Sequence, residues 1–369
     1  MIVAEPIHEI ATDLRRHRMT TDIIYHEMFT KHQISPGHPE SPQRLKAALD
    51  CIKRAELLQA GDVRLVTPKP VDLKEVYALH DAEYVEDIRA KCEQGGGFFT
   101  LDTAVNTFTY DAMLLASGGG VMTVDSILDG RSDNAFILCR PPGHHAEHNR
   151  ALGFCFINNI AIAAKHLIEK RHLDRVIIID YDGHHGNGTQ NAFYDTNKVL
   201  YVSLHQDGRT LFPGSGFPDE IGTGRGKGYT VNLSMYPGAG DRAYDMAFTR
   251  IVEPLVGAYK PQFVLVSLGF DCHFQDPLTS LGLTTSGISM MNARVHKMAD
   301  QYAQGRLAFF LEGGYNLDVV GIGCQNLVEE LSRRPVTRKG DSHVESDICI
   351  RYTEELIEVI ESNLKGVLL

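Results

Sequence analysis

The sequence predicts a single α/β domain built on a central, mostly parallel sheet of about eight strands with helices on both faces. Three observations carry the layout. Apolar runs such as Val176, Ile177, Ile178 and Ile179 do not alternate with polar residues, as strands covered on both faces require. Stretches with helical spacing separate these runs, and strands alternating with helices build parallel sheets. Several strands then end in bursts of histidine, aspartate and glycine, and the carboxyl ends of parallel strands are where open sheets bind ligands.

In chain order, residues 1–20, with Arg15, Arg16, His17 and Arg18, read as a polar leader, and 21–369 as one domain with no linker or repeat. Strands are expected near 22–25, 63–66, 134–139, 176–179, 199–204, 229–233, 263–269 and 307–312. Helices are expected at 42–58, 108–128, 156–170, 241–259 and 286–304, with a last amphipathic helix ending near Lys365. Ser41 before Pro42 suits an N-cap followed by proline at the first helical position. The breaker-rich stretch 333–346 reads as a surface loop. The glycine-rich stretch 222–228 lacks the pattern of a phosphate-binding loop and precedes a strand, so it reads as a mobile loop.

Composition narrows the class. With 369 residues, 43% of them hydrophobic, the chain can bury a large core. Its seven cysteines are odd in number and scattered, with no C-x-x-C, against a disulfide scaffold or a cysteine zinc site and for a reducing, cytoplasmic setting. No apolar run approaches the roughly twenty residues of a membrane span. A formal charge of −11 disfavours direct binding to nucleic acid and mildly attracts cationic peptides or amines.

The chemistry concentrates just past the strands. Asp180, Asp182 and His184 follow the apolar run at every second position, so an extended backbone sends them to one side. Elsewhere His144 and His145 precede Gly153 and Phe154, Asp271 follows an apolar run, and Gly313 and Gly314 present Tyr315. Asp182, His184 and Asp271 would serve a divalent metal with a position left open for water and substrate. Two oxygens and a nitrogen suit zinc, with iron(II) or cobalt open on ligand type alone. His144 and His145 would then be free to move protons.

The segments PPGHHA (141–146), GFCFINN (153–159), DYDGHHGNGTQ (180–190), SLHQ (203–206), GFDCHFQDPL (269–278) and EGGYN (312–316) resemble, in order and spacing, the zinc-dependent histone deacetylase family. The resemblance covers about residues 21–330 and looks closest to the class II branch and to prokaryotic histone deacetylase-like amidohydrolases. It implies one Zn2+ per chain on Asp182, His184 and Asp271, with His145 as general base and acid and His144 as its electrostatic partner. Asp180 would orient His144. Asn187 would orient His145, at a position where class I members carry an aspartate. Tyr315 would polarise the substrate carbonyl, while Gly153, Phe154 and Phe212 line a tunnel and Asp102 stands at its rim. The resemblance also implies structural K+. One site would use Asp180, Asp182, His184, Leu204 and Ser203, the other Phe193, Thr196, Val199 and Tyr229. Leu278 occupies the place where polyamine-deacetylating members carry a glutamate.

The partners so implied are acyl-lysine proteins or peptides, or small acetylated amines; assembly into a homo-oligomer is compatible with the sequence. The resembled family is part of the arginase/deacetylase superfamily, so the resemblance implies an arginase/deacetylase-like fold; the two-manganese ureohydrolases of that superfamily need further carboxylates where this chain has Gly186 and His273. A catalytically weak metal-bound binding protein would show a broken constellation, and no member of the set is broken. G-x-S-x-G, H-E-x-x-H and the P-C-x-x-C of nucleobase deaminases do not occur.

Overall fold

The computed structural model describes residues 19–337 and 340–368. Its strands are β1 (Thr21–Ile24), β2 (Val63–Val66), β3 (Gly96–Phe98), β4 (Ala104–Asn106), β5 (Asn134–Ile137), β6 (Val176–Asp180), β7 (Val199–Gln206), β8 (Thr230–Met235), β9 (Phe263–Leu268) and β10 (Leu307–Leu311). Eight of them form one sheet in the order β2-β1-β5-β10-β9-β6-β7-β8, and β3 pairs with β4 separately. Every pairing in the large sheet is parallel, whereas β3 and β4 are antiparallel. The apolar runs explain this. β5, β6, β7, β9 and β10 are buried at every residue, which only a sheet covered on both faces allows. Each fully buried Val, Ile, Leu or Phe contributes about 1.5–3 kcal/mol toward holding the layers together.

The helices Thr109–Leu128, Asn159–Glu169, Thr285–Tyr302 and Asp347–Leu364 stand close to their expected positions. Side chains set several starts: Asn158 accepts from the Ala161 N–H and Thr284 from the Gly287 N–H. The first long helix, Gln43–Arg54, begins differently from expectation. Pro42 has helical dihedrals and is itself the flanking residue, with no side-chain cap. The stretch read as one helix over 241–259 divides into Asp241–Ala247, a π-helical turn at Phe248–Val252, and Glu253–Tyr259. Pro254 explains the break, because it has no N–H to continue the ladder.

One loop reading needs correction and one stands. The glycine-rich stretch 222–228 is tied down: Thr223 donates to the Tyr194 carbonyl at 2.7 Å and Gly228 to the Ile221 carbonyl at 2.6 Å. The described residues of 333–346 form the expected surface loop, and two of them tie it to the body of the domain. Asp341 accepts from Thr285 Oγ1 at 2.6 Å, and Glu345 accepts from the Gly240 N–H at 2.6 Å. Of the expected polar leader, residues 1–18 lie outside the described residues. Among the described residues no helix is long and apolar enough to cross a membrane.

Candidate active site

β5, β10, β9 and β6 are consecutive neighbours in the sheet, and each hands its chain directly into one of the chemistry-bearing segments. Parallel pairing brings those four exits side by side. Asp182 and His184 come from the exit of β6 and Asp271 from that of β9, and one ligand atom from each lies within 4.8 Å of the others, all three residues buried. His184 Nδ1 stands 2.8 Å from Asp271 Oδ2 and 3.2 Å from Asp182 Oδ1. The outer carboxylate oxygens are held by backbone: the Gly183 N–H donates to Asp271 Oδ1 at 2.8 Å, and the Gly313 N–H to Asp182 Oδ2 at 2.7 Å. Gly313 has to be glycine, because a Cβ there would come within 2.5 Å of Asp271 Oδ2 and 2.7 Å of Asp182 Oδ2.

The electrostatics of this triad favour a cation. Burial, with Asp182 beside it, pushes Asp271 up to about 7. Against the effect of burial, His144 and His184 hold Asp182 below the usual carboxylate range. Burial also opposes charge on His184, yet its hydrogen bonds to Asp182 and Asp271 lift it to about 10. Two buried acids thus demand a positive charge between them, and a divalent ion on these oxygens and this imidazole meets the demand. The donor set fits zinc, which accepts nitrogen and carboxylate ligands.

The paired histidines have opposite surroundings. His144 Nδ1 lies 3.1 Å from Asp180 Oδ2, which also accepts from the Tyr201 hydroxyl at 3.1 Å. Burial works against its charged form, but Asp180, Asp182 and Glu312 raise His144 to about 10. His145 Nδ1 lies 2.8 Å from Asn187 Oδ1, a neutral partner. Burial, then His144 and His184, hold His145 well below the usual histidine range, so it is neutral at pH 7.

Above the triad opens a cavity of about 220 Å³ lined by Asp102, His145, Gly153, Phe154, His184, Leu211, Phe212, Leu278 and Tyr315. It collects every residue expected at the tunnel and rim. Gly153, at φ +53°, brings the wall onto His145, where a Cβ would come within 2.3 Å of the imidazole. Phe212 packs edge-on against His145, with ring centres 5.1 Å apart, and Phe154 against Tyr315 at 6.0 Å. Asp102, on the turn between β3 and β4, accepts from Thr100 Oγ1 at 2.6 Å. Around the potassium positions, Ser203 is the register partner of Asp180 across β6 and β7. Ser203 Oγ is 2.7 Å from His205 Nδ1. At the second set, the Phe193 carbonyl accepts from the Thr196 N–H at 3.3 Å and the Tyr229 carbonyl from the Tyr201 N–H at 2.9 Å.

A family model described as the histone deacetylase domain matches residues 38–331. The chain belongs to the histone deacetylase family. A probable deacetylase of Archaeoglobus fulgidus is 42% identical over 300 residues, 81% of this chain and 82% of its own. A histone deacetylase-like amidohydrolase of Pseudomonas aeruginosa is 38% identical over 299 residues, 80% of this chain and 77% of its own. Among solved structures, the crystal structure of the HDA15 HD domain superposes with a TM-score of 0.85 at 31% identity, covering 94% of this chain and 95% of that one. As a member of this family of deacetylases and amidohydrolases, the chain is a hydrolytic enzyme whose substrates are acetylated amides.

In this deacetylase several supporting residues had no local signal in the sequence. Glu312 is buried between its partners: its carboxylate accepts from the Gly143 and His144 N–H groups at 2.7 and 3.2 Å and from Ser267 Oγ at 3.1 Å. Arg44 donates to the Gly314 carbonyl at 2.6 Å and the Glu312 carbonyl at 2.5 Å, bracing the turn that presents Tyr315. It pairs with Glu40, which Arg140 also contacts, all three fully buried. The Tyr315 N–H donates to Asp276 Oδ2 at 2.7 Å. His185, adjacent to the ligand His184, instead makes contacts outside the triad, with Ser215 Oγ at 2.8 Å and Gln190 Oε1 at 3.1 Å.

Proposed function

We propose that this enzyme hydrolyses the acyl amide of acylated lysine, using zinc held by Asp182, His184 and Asp271. The observation that carries the reading is the buried triad at the base of a cavity that is also lined by a neutral imidazole, His145, and a phenol, Tyr315. A zinc ion held there supplies Lewis acidity, polarising a carbonyl and making water a nucleophile near neutral pH.

The side chains do the rest. Asn187 Oδ1 accepts the Nδ1 proton of His145, which leaves the Nε2 lone pair free to take a proton from attacking water. The same Nε2–H then protonates the leaving lysine nitrogen as the carbon–nitrogen bond breaks, giving a carboxylate and a free amine. Tyr315 donates its hydroxyl to the oxyanion; burial raises its pKa well above the usual phenol value, so the proton stays available as a donor. His144, held charged by Asp180, adds positive charge behind the reacting carbonyl. Gly153, Phe154 and Phe212 enclose an aliphatic stem, and Asp102 accepts from backbone amides at the rim. K+ beneath the triad, on the oxygens of Asp180, Asp182, His184, Leu204 and Ser203, with a second ion at Phe193, Thr196, Val199 and Tyr229, would stiffen the floor.

Leu278 on the cavity wall favours acyl-lysine peptides over acetylpolyamines. A secondary ammonium beside leucine loses hydration that nothing replaces, whereas a peptide backbone loses less. The test is a turnover screen of zinc-loaded protein against acetyl-lysine peptides, longer acyl-lysine peptides and acetylpolyamines. The acyl-lysine peptides are expected to show the highest kcat/KM, and faster turnover of acetylpolyamines would overturn the assignment.

A further inference from the structure

We propose that Glu147 is a positioning residue that fixes the tautomer of His145 through Asn187, an inference that rests on the general-base role given to His145. His145 Nδ1 is 2.8 Å from Asn187 Oδ1, and Asn187 Nδ2 donates to Glu147 Oε1 at 2.7 Å. An amide side chain has one accepting and one donating end, whereas an ionised carboxylate only accepts. With the NH2 group committed to Glu147, the oxygen must face the imidazole, and the imidazole must present Nδ1–H. The Nε2 lone pair is therefore left for chemistry. Turning the amide over would set its oxygen against the carboxylate and its NH2 group against Nδ1, selecting the other tautomer, which cannot act as a base at Nε2.

Glu147 is built to do this. It follows His145 by two residues, yet its side chain turns to the helix Asn187–Phe193, where it also accepts from Asn191 Nδ2 at 3.3 Å. Its backbone is pinned from two directions: the Glu147 N–H donates to the Arg150 carbonyl at 3.0 Å, and its own carbonyl is 2.8 Å from His80 Nδ1. His80 Nε2 accepts from the Asn158 N–H at 2.9 Å, so its Nδ1 carries the proton that reaches Glu147. A carboxylate at the far end also polarises the Asn187 amide, so that a neutral side chain supports the imidazolium formed during turnover.

The experiment uses zinc-loaded full-length protein with 15N-labelled histidine, reading the His145 ring nitrogens by NMR alongside steady-state kinetics. In the wild type His145 carries its proton on Nδ1. In Glu147→Ala and in Glu147→Gln, whose amide can present either end, the Nε2–H form appears and kcat on an acetyl-lysine peptide falls about tenfold with KM little changed. In an Asn187→Asp background, where two carboxylates would face each other, Glu147→Gln raises kcat. Both variants retaining a pure Nδ1–H form would overturn the proposal, as would an equal loss from Glu147→Gln in both backgrounds. The tautomer readout needs no turnover, so it decides this proposal even if the acyl-lysine assignment fails.

Discussion

The floor and the walls of this site are built in different ways. The floor takes its groups from the exits of four adjacent parallel strands, and buried polar contacts hold each one: Gly313 on Asp182, Gly183 on Asp271, Asp180 on His144, Glu312 on the His144 backbone. The walls come from loops remote from one another in sequence: the turn after β3, the segment after β7 carrying Leu211 and Phe212, and the segment after β9 carrying Leu278. These are fixed from outside. Tyr352 on the last helix donates to Asp207 at 2.8 Å beside the second loop, and Asp341 contacts His273 at 2.9 Å in the third. Phe212 remains 42% exposed, while Asp182 is 1% exposed. A buried, hydrogen-bonded floor suits chemistry that tolerates little displacement, and more exposed walls suit substrate choice.

If that division holds, damage to the floor should abolish or cripple turnover whatever the substrate. The largest effect is expected of His184→Ala, which removes the nitrogen ligand and leaves two buried acids without their counter-charge. Elemental analysis should find the metal lost and activity at background. Tyr315→Phe should keep metal and fold while kcat falls about 10²- to 10³-fold, the usual loss for one oxyanion donor. Comparable losses on short and long acyl substrates would place the residue with the floor; a loss confined to one substrate would place it with the walls.

The support behind Glu147 has its own pH signature. Burial lowers His80 to about 4, while the unfolded chain takes up that proton near 6.5. Between those values the unfolded state binds more protons, so stability is whole above about pH 6.5 and falls as pH drops toward 4, by on the order of 3 kcal/mol for this group. In denaturant titrations His80→Gln should flatten that part of the stability profile. An unchanged slope would remove His80 from the account.

The smallest change should come from the wall. Leu278→Glu gives a secondary ammonium a partner and should move the kcat/KM ratio toward acetylpolyamines by about tenfold, equivalent to about 1.4 kcal/mol, without altering metal content. A fall on all substrates alike would show that the wall is not separable from the floor.

The same contrast explains what could be read from the sequence. The floor was legible because strand and ligand are contiguous: the run from Val176 ends directly in Asp180, Asp182 and His184, and the parallel sheet follows from unbroken apolar strands. The antiparallel hairpin of β3 and β4 was not, since Gly96, Gly97 and Phe98 carry no alternating pattern, and it takes tertiary packing to order them. Nor could the chain reveal that Glu40 pairs with both Arg44 and Arg140, because Arg140 lies 100 residues from Glu40 and buried charges have no local signature. Glu147 directly follows the segment PPGHHA, but its role depends on which end of the Asn187 amide faces it.

Zinc titration of chelator-treated protein, followed by turnover of an acetyl-lysine peptide, tests the central claim most directly. Activity should be absent after chelation, return linearly with added zinc and saturate at one equivalent per chain, with His184→Ala showing no recovery. Turnover that survives chelation, or that requires two equivalents, would contradict a single metal held by Asp182, His184 and Asp271.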